Sequence, residues 1–262
     1  MKQTLIHEII KSLAGHAADI EAQWTNPTGT KTRHFVIDAF LPQDIAVRAY
    51  SAFPRDGQGF LSRATFREKK STSASLADYD PLLADITYAL QDPEVVAAIG
   101  GLTQMRDLEP DPDLSRGGLS MMFSGDYLNP HIDNSHDAQR NRYRRLNILY
   151  YVSPEWNLAN GGNFELWDDA RTTPKTIVAT QNRLVVMETT KLSWHSVSKV
   201  NAESARCCVS NYYYSMESPD GDDYYHVTSF DGRPEEPLKK GLSKVDNVLR
   251  GVVSKITGKA RG

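Results

Sequence analysis

From Leu119 onward the chain is written in short apolar or alternating segments separated by Gly, Pro, Asn and Asp, and this texture constrains the fold more than any other feature. Strands are expected near 118–123, 145–152, 162–167, 175–180, 183–188, 195–200 and 205–214. Short strands with turn signals between them pack as a sandwich or a jelly roll, because an apolar sheet face must be buried against another layer. The first third reads as helical. Leu5, Ile6, Ile9, Ile10, Leu13 and Ile20 recur at spacings of three and four, an apolar stripe on one helix of about five turns. After a strand in HFVIDAF (34–40), the segment from Pro42 reads as a helix opened by proline. Two more helices, over Asp78–Leu90 and Asp92–Ile99, open on Asp or Pro. Neither an internal repeat nor a long linker is visible. Residues 1–238 are therefore expected to be a single domain, with helical support over about 1–105 bracing a sheet core over about 106–216.

No apolar run approaches the roughly 18 residues that a membrane span needs. The opening MKQTLIHEII places Glu8 inside its apolar stretch and lacks a small-residue cleavage site, so a cytoplasmic protein is expected. The two cysteines, Cys207 and Cys208, are neighbours and poorly placed for a disulfide, so a metal here would use His and carboxylate. Net charge is −3 overall, yet residues 239–262 hold seven basic residues and one acid. In that basic tail Leu242, Val245, Leu249, Val252, Val253 and Ile256 form an apolar face. It is expected either to dock on its own domain or to meet a partner or an anionic membrane surface. The remainder is net negative, which speaks against nucleic-acid binding.

The chemistry gathers around His131-Ile132-Asp133. On a strand, residues i and i+2 share a face, so the triplet would aim an imidazole and a carboxylate at one point. In a loop the same triplet is only an aspartate capping its own backbone beside a surface histidine. A second apolar-flanked histidine, His195 in LSWHSVSKV, follows, and then Arg206. Two histidines and a carboxylate with open positions opposite suit a non-haem Fe(II) oxygenase, which needs room for dioxygen and a chelating cosubstrate. Strand parity groups Arg206 with Cys208, Ser210 and Tyr212, and Asn147 with Leu149 and Tyr151; a one-residue register error would put Tyr150 in place of Tyr151. The basic cluster Arg140, Arg142, Arg144 and Arg145 reads as a solvated loop or as contacts for an anionic group at a pocket mouth. His136 and Asp137 read as loop residues or an extension of a metal site.

Five segments, FSGDYLNPHIDNS, RLNILYYVSPEW, GGNFELWD, RLVVMETTKLSWHSV and ARCCVSNYYYS, occur in an order that resembles the 2-oxoglutarate and Fe(II)-dependent dioxygenases of the prolyl-4-hydroxylase type. The resemblance covers about Gly117–Met216. It implies a mainly β fold with flanking α, a double-stranded β-helix (jelly roll) braced by N-terminal helices. It also implies that His131, Asp133 and His195 are the catalytic iron ligands, and that Arg206 and Tyr151 hold the distal carboxylate of 2-oxoglutarate, with Asn147 also on the cosubstrate. Many relatives carry a tyrosine where this chain has Phe123. Phe123, Tyr212 and Arg145 are assigned to the substrate pocket. The implied reaction couples decarboxylation of 2-oxoglutarate, giving succinate and CO2, to hydroxylation of an unactivated C–H bond, with ascorbate admitted as reductant. A small molecule or biosynthetic intermediate is the preferred substrate and a protein or peptidyl prolyl residue the alternative. A non-catalytic jelly-roll binding module would be expected to have lost one of His131, Asp133, His195 or Arg206, and a cupin-type metalloenzyme would need neither Arg206 nor Tyr151.

Overall fold

The computed structural model describes residues 1–238, 240–243 and 246–247. Five helices come early: α1 (Lys2–Gly15), α2 (Ala17–Thr25), α3 (Gln43–Ala52), α4 (Pro81–Ala89) and α5 (Pro93–Thr103). Asp80 and Asp92 each accept the N–H two residues on, and a proline fills the first helical position after each. The strands are β1 (His34–Ile37), β2 (Leu61–Ala64), β3 (Glu68–Ser73), β4 (Glu109–Pro110), β5 (Gly118–Met122), β6 (Tyr127–Ile132), β7 (Tyr143–Tyr151), β8 (Phe164–Trp167), β9 (Pro174–Ile177), β10 (Arg183–Glu188), β11 (His195–Val197), β12 (Arg206–Ser215) and β13 (Ser229–Phe230). All pairings are antiparallel, in the order β1-β10-β7-β12-β5-β3-β6-β11-β8-β9, with β2 on β3, β4 on β12 and β13 on β6. The sheet curls into a jelly roll, and β3 joins its halves by pairing with β5 through residues 71–73 and with β6 through residues 68–69.

Alternation along the large half of the sheet divides the core in two. Phe35, Ile37, Leu146, Ile148, Tyr150, Leu184, Val186, Cys207 and Val209 point outward and are covered by the apolar stripes of the helices, Leu5, Ile9, Leu13, Ile20 and Trp24 among them. Tyr151, Val185, Met187 and Cys208 point inward and meet Phe164, Leu166 and Val197 from the small half. The exposed edge of β1 is closed by Gln23, whose side-chain amide bonds both the N–H and the C=O of Val36. Phe35 is fully buried and sits edge-on to Trp24, ring centroids 6.1 Å apart. Phe35→Ala is expected to lower unfolding free energy by about 3–5 kcal/mol in urea titration. A cost under about 1 kcal/mol would mean the helices do not depend on this face.

The structure corrects three local expectations. The apolar stripe Leu5–Ile20 lies on two helices, because the chain leaves helical geometry at His16 (φ −106°, ψ 10°), whose Nδ1 lies 2.9 Å from the carbonyl oxygen of Ser12. The first third also contains the hairpin of β2 and β3, whose largely polar residues give no apolar alternation to read. β6, with the sequence YLNPHI, is a further strand that the apolar pattern does not announce. No helix among the described residues is long and apolar enough to cross a membrane. The tail's expected apolar face falls mostly outside the described residues. Of its described part, Asp246 pairs with Arg67 at 2.8 Å and Asn247 bonds both backbone groups of Phe230.

Candidate active site

His131 ends β6 one residue before the last, and its register partner across the ladder is His195, the first residue of β11. The two rings lie 4.1 Å apart between centroids. Asp133 follows β6 immediately, with Oδ1 3.7 Å from His131 Nε2 and Oδ2 3.6 Å from His195 Nε2. One ligand atom from each of the three lies within 4.8 Å of the others, an arrangement that can hold a metal ion.

The surroundings fix the protonation states such a site needs. His131 Nδ1 lies 3.0 Å from the Asn129 carbonyl oxygen and His195 Nδ1 2.9 Å from that of Ser193. Each carbonyl therefore takes a proton from Nδ1 and leaves the Nε2 lone pair facing Asp133. Burial pushes the His131 imidazolium down to about 3 and lowers that of His195 as well. Burial alone would raise the Asp133 carboxyl, but the neighbouring Arg144 charge overcomes it and holds the group below the usual carboxylate range. Neutral imidazoles beside an ionised carboxylate are the metal-binding forms of these groups. The ring of Phe230 stacks on His131 at 5.3 Å and walls one side.

Further inside the roll, Arg206 and Tyr151 share the inward face of adjacent strands, Tyr151 being opposite Cys208. The guanidinium lies 4.7 Å from the Tyr151 ring centre, and both side chains are buried. Arg206 has no carboxylate partner among the described residues, and its Nε, the Tyr151 hydroxyl and Asn147 Oδ1 are buried without a hydrogen-bond partner. A buried cation in an apolar interior is costly unless an anion meets it. The Arg206 and Tyr151 donors fit a dicarboxylate cosubstrate, which would supply that anion. Gly162, at φ +61°, leaves the room: a Cβ there would stand 3.0 Å from Arg206 Cδ. Burial pushes the Cys207 thiol up to about 12 and the Cys208 thiol up to about 11, so both are protonated packing residues.

The remaining sequence-derived residues divide. Tyr212 lines a cavity of about 570 Å³ that reaches His131 and Asp133, together with Arg144. Phe123 does not line it: Met122 is the inward residue of β5, and Phe123, one position on, packs with the outer core and against Gly57. Arg145 does not line it either, and donates instead to the Glu217 carbonyl. Its neighbour Arg144 takes the inward place, buried at 3.2 Å from Asp133 Oδ2. The cause is a bulge in the β7–β12 ladder: Tyr213 faces Leu146, but Tyr214 faces Arg144, so Arg145 is skipped. His136 packs against Tyr143 at 4.2 Å and Asp137 pairs with Arg142 at 2.9 Å, apart from the triad.

Residues 117–214 match the 2OG-Fe(II) oxygenase superfamily. That stretch is similar to a 2OG-Fe(II) oxygenase domain. His131, Asp133 and His195 all lie within that matched stretch. Over 77 residues this chain is 35% identical to the prolyl 3-hydroxylase OGFOD1 of Mus musculus, a stretch covering 27% of this chain and 14% of the relative. The chain thus spans a small part of that relative's length. In three dimensions it is similar to a Pseudomonas putida prolyl-4-hydroxylase (TM-score 0.52, 16% identity, covering 76% of this chain and 99% of that one). It is similar also to a prolyl 4-hydroxylase from Phytophthora capsici (TM-score 0.53, 16% identity, covering 94% and 77%). At such identities the likeness concerns the fold.

Proposed function

We propose that this oxygenase hydroxylates a small polar molecule, with His131, Asp133 and His195 holding Fe(II) and with Arg206, Tyr151 and Asn147 receiving 2-oxoglutarate. The observation that carries the reading is Arg206, a buried guanidinium with no carboxylate partner among the described residues, beside the unpartnered Tyr151 hydroxyl. When bound, the iron and 2-oxoglutarate supply the oxidising chemistry: dioxygen is consumed, succinate and CO2 are released, and an oxygen atom enters a C–H bond.

The protein's own contribution is placement and protection. The Nδ1 bonds to Asn129 and Ser193 hold both imidazoles in one tautomer and orientation. Arg144 keeps Asp133 ionised. Arg206 and Tyr151 would orient the cosubstrate by its far carboxylate, a task suited to a planar, permanently charged fork. The apolar inner cluster excludes water around them. A cavity of about 570 Å³ walled by the hairpin of β2 and β3 suits a compact substrate. Residues 1–238 would act as one unit, because helices and sheet share the outer core. Similarity to prolyl hydroxylases supports a second reading, a peptidyl proline as substrate.

The test is anaerobic loading with Fe(II) and 2-oxoglutarate, followed by admission of dioxygen and assay of succinate. A weak visible charge-transfer band and slow succinate release without added substrate are expected. Folded, iron-loaded protein that gives neither would overturn the assignment. Stimulation of succinate release by proline-rich peptides, and not by small metabolites, would move the substrate to the second reading.

A further inference from the structure

The hairpin of β2 and β3 does more than close the cavity. Alternation along its strands turns Arg63 on β2 and Glu68 and Lys70 on β3 toward the space above His131 and Asp133. The register sets Arg63 directly opposite Lys70. Like charges facing each other across a ladder destabilise it, and one carboxylate serves both: Glu68 lies 3.0 Å from Lys70 and 3.8 Å from Arg63. Arg116 lines the same cavity from the segment before β5, its guanidinium pushed down by burial and by Arg144. Arg67 also lines it, but both oxygens of Asp246 engage that side chain, at 2.8 and 3.0 Å.

Leaving Arg116 aside, four cations at the cavity, Arg63, Arg67, Lys70 and Arg144, meet three carboxylates among the described residues, Glu68, Asp246 and the metal-site Asp133. The excess is close to the centre. Lys70 acts electrostatically on His131, Asp133 and His195, and Arg116 on Asp133. A hairpin that holds two cations face to face, with a third on the segment before β5, offers an oxyanion both a point charge and bidentate forks.

We infer that the substrate carries an oxyanion, a phosphate or carboxylate group, which seats among Arg63, Lys70 and Arg116 while its reacting carbon lies over the His131–Asp133–His195 centre. The second half of this statement rests on the hydroxylase reading; the anion seat stands on the hairpin itself. Recognition through the anion would orient the substrate, because Arg63, Lys70 and Arg116 line the same cavity as His131 and Asp133.

Calorimetric titration of the metal-free full chain with inorganic phosphate, and separately with acetate, at constant ionic strength, tests the seat. Saturable binding of at least one is expected, weakened about tenfold or more in the double variant R63Q/K70Q, the scale of one lost charge-assisted hydrogen bond. Arg116→Gln, which leaves the hairpin untouched, is expected to weaken it similarly. Lys69→Gln serves as the control and binds as wild type, since Lys69 lies outside the cavity and pairs with Asp126 at 3.1 Å. Binding of phosphate alone marks a phosphorylated substrate, and binding of both probes a seat that accepts carboxylates too. No saturable binding of either, or equal binding by wild type and all variants, overturns the inference. Succinate release with Fe(II), 2-oxoglutarate and dioxygen is measured independently. Its absence while anion binding persists would count against the hydroxylase reading alone.

Discussion

Replacing His195 by Ala is expected to abolish both Fe(II) retention and succinate formation. The imidazole is buried, oriented by the Ser193 carbonyl, and set against His131 by strand register, so no other side chain can take its place. Loss of an outer hydrogen-bond partner of a metal ligand typically costs 10–100-fold in affinity, and loss of the ligand itself should exceed about 100-fold. Iron remaining after dialysis and succinate per turnover are the two readouts, with far-UV circular dichroism to establish folding. Asp133→Ala is a poorer test. It would leave Arg144 buried without its carboxylate, and an uncompensated buried charge costs roughly 3–5 kcal/mol of stability on its own. His136→Ala is the matched control, because that ring packs on Tyr143 away from the triad, and it should retain iron. A His195→Ala protein that keeps stoichiometric iron and turns over 2-oxoglutarate would remove His195 from the centre.

Much of this site is legible in the chain because β-strands have a period of two. Spacing alone groups Arg206 with Cys208 and Tyr212, and Asn147 with Tyr151, and the folded ladder sets Cys208 opposite Tyr151 and Tyr212 opposite Asn147. What alternation cannot carry is an interruption of alternation. The bulge beside Tyr213 exchanges Arg145 for Arg144 at the cavity, and nothing in YRRLN marks where the extra residue sits. Phe123 falls on the wrong side by the same arithmetic, one residue past inward-facing Met122. The hairpin of β2 and β3 escapes for a different reason. Its cavity face is built of Arg63, Glu68 and Lys70, so the residues that line the site look, in sequence, like a solvated loop. Partner histidines far apart in the chain are paired by sheet register, which only the closed fold displays.

Arg206→Met is expected to separate binding from folding. In the absence of 2-oxoglutarate the guanidinium is held in an apolar interior with no carboxylate partner among the described residues, so an apolar side chain of similar length should leave thermal stability unchanged or raise it. Cosubstrate binding should tell the opposite story. Wild type loaded with a divalent metal under anaerobic conditions should gain stability as 2-oxoglutarate is added, by about 2.7 kcal/mol at a hundredfold excess over Kd. The variant should show no such gain, and its 2-oxoglutarate requirement should rise by about 100-fold or more, as befits loss of a desolvated charge pair. The adjacent tyrosines sharpen the test. Tyr151→Phe removes an inward, unpartnered hydroxyl and should raise the requirement several-fold without loss of stability. Tyr150→Phe removes a hydroxyl that bonds Asn182 Oδ1 at 3.0 Å on the outer side, and should cost about 1 kcal/mol of stability with the requirement unchanged. A destabilised Arg206→Met protein whose melting temperature still rises with 2-oxoglutarate would make Arg206 a structural residue and leave the cosubstrate to be held elsewhere.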